Sequence, residues 1–270
     1  MTRPTLGVFD SGFGGLTVVK ALVEAMPRAD YIYFGDTARL PYGSKSAQTV
    51  AKYAVSAARF LEQQGAQLLV IACNTATALA LPEITGAASV PVIGVVEPGA
   101  ESAARRSGTK HVVVIGTEAT ISSHAYRHAL ESRGLCVKEK ACPLLVPLVE
   151  EGWVDHAVTE QVSRIYLEEA FADGFHSADV LLLGCTHYPL LKPLLRMIVP
   201  AEVGIVDSAE STARVVSELL QHSPDTPLAP EKAETGFKFF VTDSVEKFRR
   251  LGPRFLGHAI KDVQHVDLRE

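Results

Sequence analysis

No apolar stretch in this sequence approaches the length needed to cross a membrane. The opening, MTRPTLGVFDSG, reaches Asp10 and a glycine turn before a signal-peptide core could form. The expectation is a cytoplasmic protein with no membrane partner. Positive charge is also short: 26 Lys and Arg stand against 31 Asp and Glu, a net charge of -5, and no basic stripe exists to follow a phosphate backbone. Direct nucleic-acid binding is excluded as a main role. Cysteine is limited to Cys73, Cys136, Cys142 and Cys185, too few for a disulfide framework in a chain of 270 residues, so reduced thiols are expected. Cys185 and His187 are two positions apart and Cys136 and Cys142 six apart, with neither a C-x-x-C pair nor an H-x-x-x-H partner beside them, and no metal site is expected. DSGFGGLT lacks the parts of a nucleotide loop: Gly12 and Gly14 begin a G-x-G, Thr17 replaces the third glycine, and no Walker lysine follows. Those glycines read instead as a tight turn that brings backbone N–H groups close to an anion.

What is present is an α/β pattern. Hydrophobic residues make up 47% of the chain, enough for a substantial core. Short apolar runs end in a polar or glycine turn and then a helical pattern: TLGVFD into SGFGG, YIYFGD into TARLPYG, AQLLVIAC into NTATA. Leu16, Val19, Leu22, Val23 and Met26 share one helix face before Pro27, and Tyr53, Ala54, Ala57, Phe60 and Leu61 repeat the pattern before Gly65. A second series follows: PVIGVV into Glu97-Pro98-Gly99, HVVVIG into Thr117, DVLLLG into Cys185, VGIV into Asp207-Ser208. The pattern predicts two similar α/β domains with mostly parallel sheets. The boundary falls near EPGAES, where Pro98 and Gly99 interrupt, and the return lies near Asp207. The first domain is therefore 1–97 plus 208–270 and the second 98–207. HSPDTPLAPEKAETG reads as a surface connection, and FKFFVTD as one more strand.

Ligands of parallel α/β sheets bind at the carboxyl ends of strands. Here those ends carry Asp10-Ser11, Asp36, Cys73-Asn74-Thr75, Glu97, Thr117, Cys185-Thr186-His187 and Asp207-Ser208. Asp36, Asp207 and Ser208 read as helix caps. The cysteines read differently. LLVIACNTATA and VLLLGCTHYPL both set an apolar strand, a small residue, Cys and then Asn or Thr at the mouth of a helix, whose N-terminus can lower a thiol pKa. Cys136, in LCVKEK, and Cys142, in ACPLL, read as structural. A cysteine hydrolase could use Cys185 and His187 but leaves Cys73 without a task. Two thiols at equivalent turns suit removal of a proton from one face of a carbon and delivery of one to the other, which is racemisation or epimerisation without a cofactor.

GVFDSGFGGLTV, GDTARLPYG, IACNTATA, CPLLVPLVEEGW, LLLGCTHYPLL and VDSAESTA, in this order and across most of the chain, closely resemble the cofactor-independent glutamate racemases of bacteria. The resemblance implies a pair of α/β domains with the active site in the cleft between them, and interconversion of L- and D-glutamate for peptidoglycan synthesis. It implies Cys73 and Cys185 as base and acid on opposite faces, Asp10 assisting Cys73, and His187 assisting Cys185. Ser11, Tyr42, Gly43, Asn74, Thr75, Thr117, Thr120 and Thr186 match its substrate-holding positions, with Asp10 and His187 also beside the substrate. Glu150 matches an acidic residue near the second cysteine, although Glu151 is adjacent and a surface-helix carboxylate is the plain alternative. No cofactor and no metal are implied, and a homodimer is. An aspartate racemase is the nearest alternative. Some glutamate racemases also bind DNA gyrase, but usually with more N-terminal sequence than the nine residues before Asp10.

Overall fold

The computed structural model describes residues 3–221 and 235–268. The expected surface connection HSPDTPLAPEKAETG lies, up to residue 234, outside the described residues. The chain begins with β1 (Thr5–Asp10), α1 (Leu16–Ala25), β2 (Asp30–Gly35), α2 (Ala47–Gln63), β3 (Leu68–Ile71), α3 (Asn74–Ala87), β4 (Val92–Gly94) and α4 (Val96–Arg106). It continues through β5 (His111–Gly116), α5 (Glu118–Ser122), α6 (Ala125–Glu131), β6 (Cys136–Ala141), α7 (Leu145–Glu150) and α8 (Ala157–Ala170). Then come β7 (Val180–Gly184), α9 (Lys192–Ile198), β8 (Gly204–Asp207), α10 (Ser208–Gln221), β9 (Phe237–Val241), α11 (Val245–Leu256) and β10 (Val263–His265).

Two sheets result, ordered β10-β9-β2-β1-β3-β4 and β6-β5-β7-β8, with every neighbouring pair parallel. Helices cover both faces, which is why the central strands are apolar along their length: β3 and β7 are buried at every position. FKFFVTD supplies β9 as expected, but the three-residue β10 beyond it was not anticipated. α10 packs against both α1 and α4. One apolar cluster runs from Leu16 and Phe13 beside the six-stranded sheet to Tyr188 and Leu183 beside the other, so the two units share a core behind the cleft.

One expected break is absent. Glu97, Pro98 and Gly99 do not interrupt the chain but form the first turn of α4. A proline costs nothing there, because first-turn N–H groups lack an intrahelical acceptor. Glu97 is accordingly no strand-end group, and it pairs with Arg133 on the surface at 2.7 Å. Among the described residues no helix is long and apolar enough to cross a membrane.

Candidate active site

Strand register gathers the chemistry. β1 and β3 are neighbours with Phe9 opposite Ile71, and the Ala72 N–H donates to the Phe9 carbonyl at 2.8 Å, so Asp10 and Cys73 leave the sheet side by side. In the other unit Gly116 of β5 lies opposite Gly184 of β7, which places Thr117 beside Cys185. Both thiols face one cavity of about 400 Å³ between the units.

Cys73 is the N-cap of α3. Its Sγ accepts the Ala76 N–H at 3.4 Å and donates to Ser11 Oγ at 3.5 Å. The expected lowering of this thiol's pKa is nevertheless reversed. Burial first, and the Asp10 carboxylate second, outweigh Ser11 and Ala76 and push the thiol up to about 12. Asp10 is itself buried, accepting the Gly12 N–H at 2.8 Å and the Tyr33 hydroxyl at 3.4 Å through Oδ2. Burial raises its pKa, against the His187 charge and the N–H groups of Gly15, Gly12 and Ser11. The anion served by the glycine turn is thus the protein's own carboxylate. A Cβ on Gly15 would sit 2.4 Å from Asp10 Cβ, so only glycine lets the turn close around it.

Cys185 follows β7 directly, yet no α-helix begins there. A 3-10 turn over Tyr188–Leu191 intervenes before α9, which removes the expected helix N-terminus. Its partner is an imidazole: Cys185 Sγ lies 3.9 Å from His187 Nδ1. His187 is buried with its ring edge-on to Phe255 at 5.3 Å, and Nε2 lies 3.3 Å from Glu150 Oε1. Burial opposes charge on this ring, but Cys185 and Glu150 outweigh it and raise the pKa to about 10. These partners favour the protonated form of the ring. For Glu150 the balance runs the other way: burial raises its pKa, while His187 and Lys247 together hold it below its ordinary value. Glu150 is therefore not the solvated helix carboxylate of the plain alternative.

Around the thiols the cavity wall carries Ser11, Tyr42, Gly43, Asn74, Thr75, Thr117 and Thr186, with Glu150, Glu151, His187 and Lys247 on one side. Asp10 and Thr120 stand behind this wall and do not line it. Thr120 touches the wall through hydrogen bonds: the hydroxyls of Thr75, Thr117 and Thr120 form a triangle of 2.9, 3.1 and 2.9 Å, which also ties α3 to α5 across the cleft. Further ties cross the same gap. Thr17 Oγ1 donates to the Thr186 carbonyl at 2.9 Å, and Tyr126 donates to Asn74 Oδ1 at 2.6 Å. A Cβ on Gly14 would meet Thr186 Oγ1 at 2.2 Å and His187 Nδ1 at 2.5 Å, so this glycine is what admits the second unit's loop.

The expected caps divide. Asp207 does cap α10, accepting the Glu210 N–H at 2.9 Å. Asp36 makes no cap bond and instead accepts from Tyr42 Oη at 2.5 Å, Arg39 at 2.8 Å and Thr242 at 2.9 Å, so the Tyr42 hydroxyl is engaged away from the cavity. Ser208 receives the Asn74 amide at 3.4 Å. Cys136 is exposed in β6, and Cys142 is buried with its Sγ toward the Lys140 carbonyl at 3.6 Å; neither lines the cavity. His124 and His128 have an H-x-x-x-H spacing that the sequence reading passed over, and His124 is tied to Glu139 at 2.7 Å. Among the described residues no three of His, Cys, Asp and Glu are placed to hold a metal ion. Lys247 was also missed: it comes from α11, far along the chain and in no motif, and only its partner Glu150 could have pointed to it.

The geometry can be set beside known proteins. The family model for Asp/Glu/hydantoin racemases matches residues 6–216. The chain belongs to this family. A glutamate racemase of Koribacter versatilis is 61% identical over 98% of this chain and 98% of its own, and one of Geobacter metallireducens is 48% identical over 99% and 98%. The crystal structure of a glutamate racemase isoform from Bacillus anthracis superposes with a TM-score of 0.92 at 37% identity, over 99% of both chains. That of the Francisella tularensis glutamate racemase in complex with D-glutamate gives 0.88 at 37% identity, over 98% of both. An aspartate racemase of Picrophilus torridus shares the fold, with a TM-score of 0.59 at 19% identity over 80% of this chain and 94% of its own.

Proposed function

We propose that this protein is a cofactor-independent glutamate racemase, an isomerase that interconverts L- and D-glutamate and supplies the D-isomer for peptidoglycan synthesis. One observation carries the reading: two buried thiols, Cys73 and Cys185, line the same cavity, each with a titratable partner of its own. One sulfur, as thiolate, takes the Cα proton; the opposite thiol gives its proton to the other face of the carbanion, so the two sulfurs exchange protonation states in each turnover. At neutral pH Cys73 carries a proton and serves as the acid, while Asp10 accepts that proton in the reverse direction. The His187 imidazolium exchanges a proton with Cys185. Ser11, Asn74, Thr75, Thr117 and Thr186 hold the substrate carboxylates and ammonium, with Tyr42 and Gly43 completing that wall. Thr120 and Asp10 act from behind it.

The domains read as 1–97 plus 208–270 and 98–207, and the full reading includes a cytoplasmic homodimer. Sedimentation equilibrium tests the assembly. The decisive experiment incubates purified, reduced protein without added cofactor in D₂O with L-glutamate, following ellipticity and the Cα proton signal together. Ellipticity is expected to decay to zero as deuterium enters at Cα. Exchange with aspartate and not glutamate would move the substrate, and silence with both would overturn the reading.

A further inference from the structure

Among the described residues, Lys247 is the one lysine or arginine that lines the cavity, and the reaction as written gives it no part. It stands on α11, beside the six-stranded sheet, with Nζ 5.2 Å from the Phe13 ring centroid. Nζ also lies 3.3 Å from Glu150 Oε2 on α7 of the other unit, while Glu150 Oε1 lies 3.3 Å from His187 Nε2. One carboxylate lies between two cations, and the charge of Lys247, repelling the imidazolium, offsets part of the attraction that Glu150 exerts on it.

We propose that Lys247 is a positioning residue that holds Glu150 and offsets part of its pull, so that His187 holds its proton loosely enough to exchange it with Cys185 during turnover. The proposal rests on the racemase reading above. Every charged or titratable group around the ring fits this sign. Cys185 is on its own loop, Glu150 ends α7 and Glu151 caps it, and Asp10 reaches it from β1. Those favour the imidazolium. From α11 come Arg254, packed on Gly152, and Lys247, and only Lys247 is paired with Glu150. Burial alone would lower the ring's pKa, yet its partners carry it to about 10, so the proton is already tightly held, and Glu150 without this offset would hold it more tightly still. Lys247 and Glu150 belong to different units, so their contact spans the cleft.

The test is NMR titration of the His187 imidazole in substrate-free protein, for wild type, Lys247→Met and Lys247→Arg, alongside kcat and KM for each. Lys247→Met is expected to raise the midpoint by about half a pH unit or more and to lower kcat several-fold at nearly constant KM. Lys247→Arg should return both toward wild type. A midpoint unchanged or lowered in Lys247→Met, or an effect on KM alone, would overturn the proposal. The two readings fail separately: a wild type that does not exchange the glutamate Cα proton sinks the racemase, whereas the titration judges Lys247 with no substrate present.

Discussion

At the Cys73 turn the sulfur has a buried carboxyl group beside it and an α-helix N-terminus in front of it; at the Cys185 turn it has an imidazole and no α-helix. Both turns follow the central strands of parallel sheets, and both carry Cys followed by a short polar residue. The matching half ends there. Asp10 comes from a neighbouring strand and sits behind the wall, while His187 comes from the same loop and forms part of it. In the proposed reaction the two halves would thus serve one task, holding a sulfur ready to gain or lose a proton, through a carboxyl group in one and an imidazole in the other. Internal similarity of sequence does not carry similarity of electrostatics, because the groups that set a pKa are gathered from elsewhere in the fold.

Removing one thiol at a time breaks this comparison most sharply. Cys73→Ala and Cys185→Ala are each expected to lower racemisation by roughly a hundredfold or more. Each should retain Cα exchange only with the enantiomer whose proton faces the remaining sulfur, read by deuterium incorporation into separate L- and D-glutamate samples. Exchange of both enantiomers by either variant would show that the thiols are not split between faces. A smaller effect is expected from Gly14→Ala, whose new methyl must displace Thr186 and His187. It should cost about tenfold in kcat, in line with misplacement of a reacting group, and unchanged kinetics would mean the loop yields freely.

Glu150→Gln sharpens the electrostatic side. Glu150 helps raise the His187 pKa to about 10, so its loss should move the alkaline limb of the kcat profile down by about one pH unit. Stability follows the same group. The folded-state value of about 10 lies above the ordinary 6.5, so the stabilisation is complete below pH 6.5 and is lost as pH rises through 10. Thermal melts across that window should fall more gently in Glu150→Gln than in wild type, and equal slopes would remove Glu150 from the account. The smallest effect belongs to Cys136→Ser. This exposed thiol plays no part at either turn, and its replacement should leave kcat unchanged and stability within about 0.5 kcal/mol.

The strand-to-helix rhythm and both cysteine turns were readable in the sequence, because each rests on a local pattern of apolar runs and polar or glycine turns, while the residues of the cavity wall were named through the resemblance of short motifs to a known family. What was not readable depends on packing. Pro98 looks like a break until its place in a first helical turn is seen. Asp36 looks like a cap until Tyr42 and Thr242 arrive from other elements to occupy it. The Cys73 pKa moves opposite to the motif's implication, since burial is a property of the assembled core and not of the turn. Lys247 had no motif of its own, as its position beside Glu150 arises only when α11 crosses to the other unit.

In the finished sheet β2 is an interior strand, held between β1 and β9. During synthesis it has no such protection. β1, β3 and the whole four-stranded sheet are complete in the chain well before Phe237–Val241 emerges, and until then the outer edge of β2 offers unpaired backbone groups to any passing strand. The same late segment brings α11, with Phe255 for His187 and Lys247 for Glu150. A chain cut short in its last few dozen residues thus lacks both the partner of this strand edge and the groups that α11 brings to His187 and Glu150.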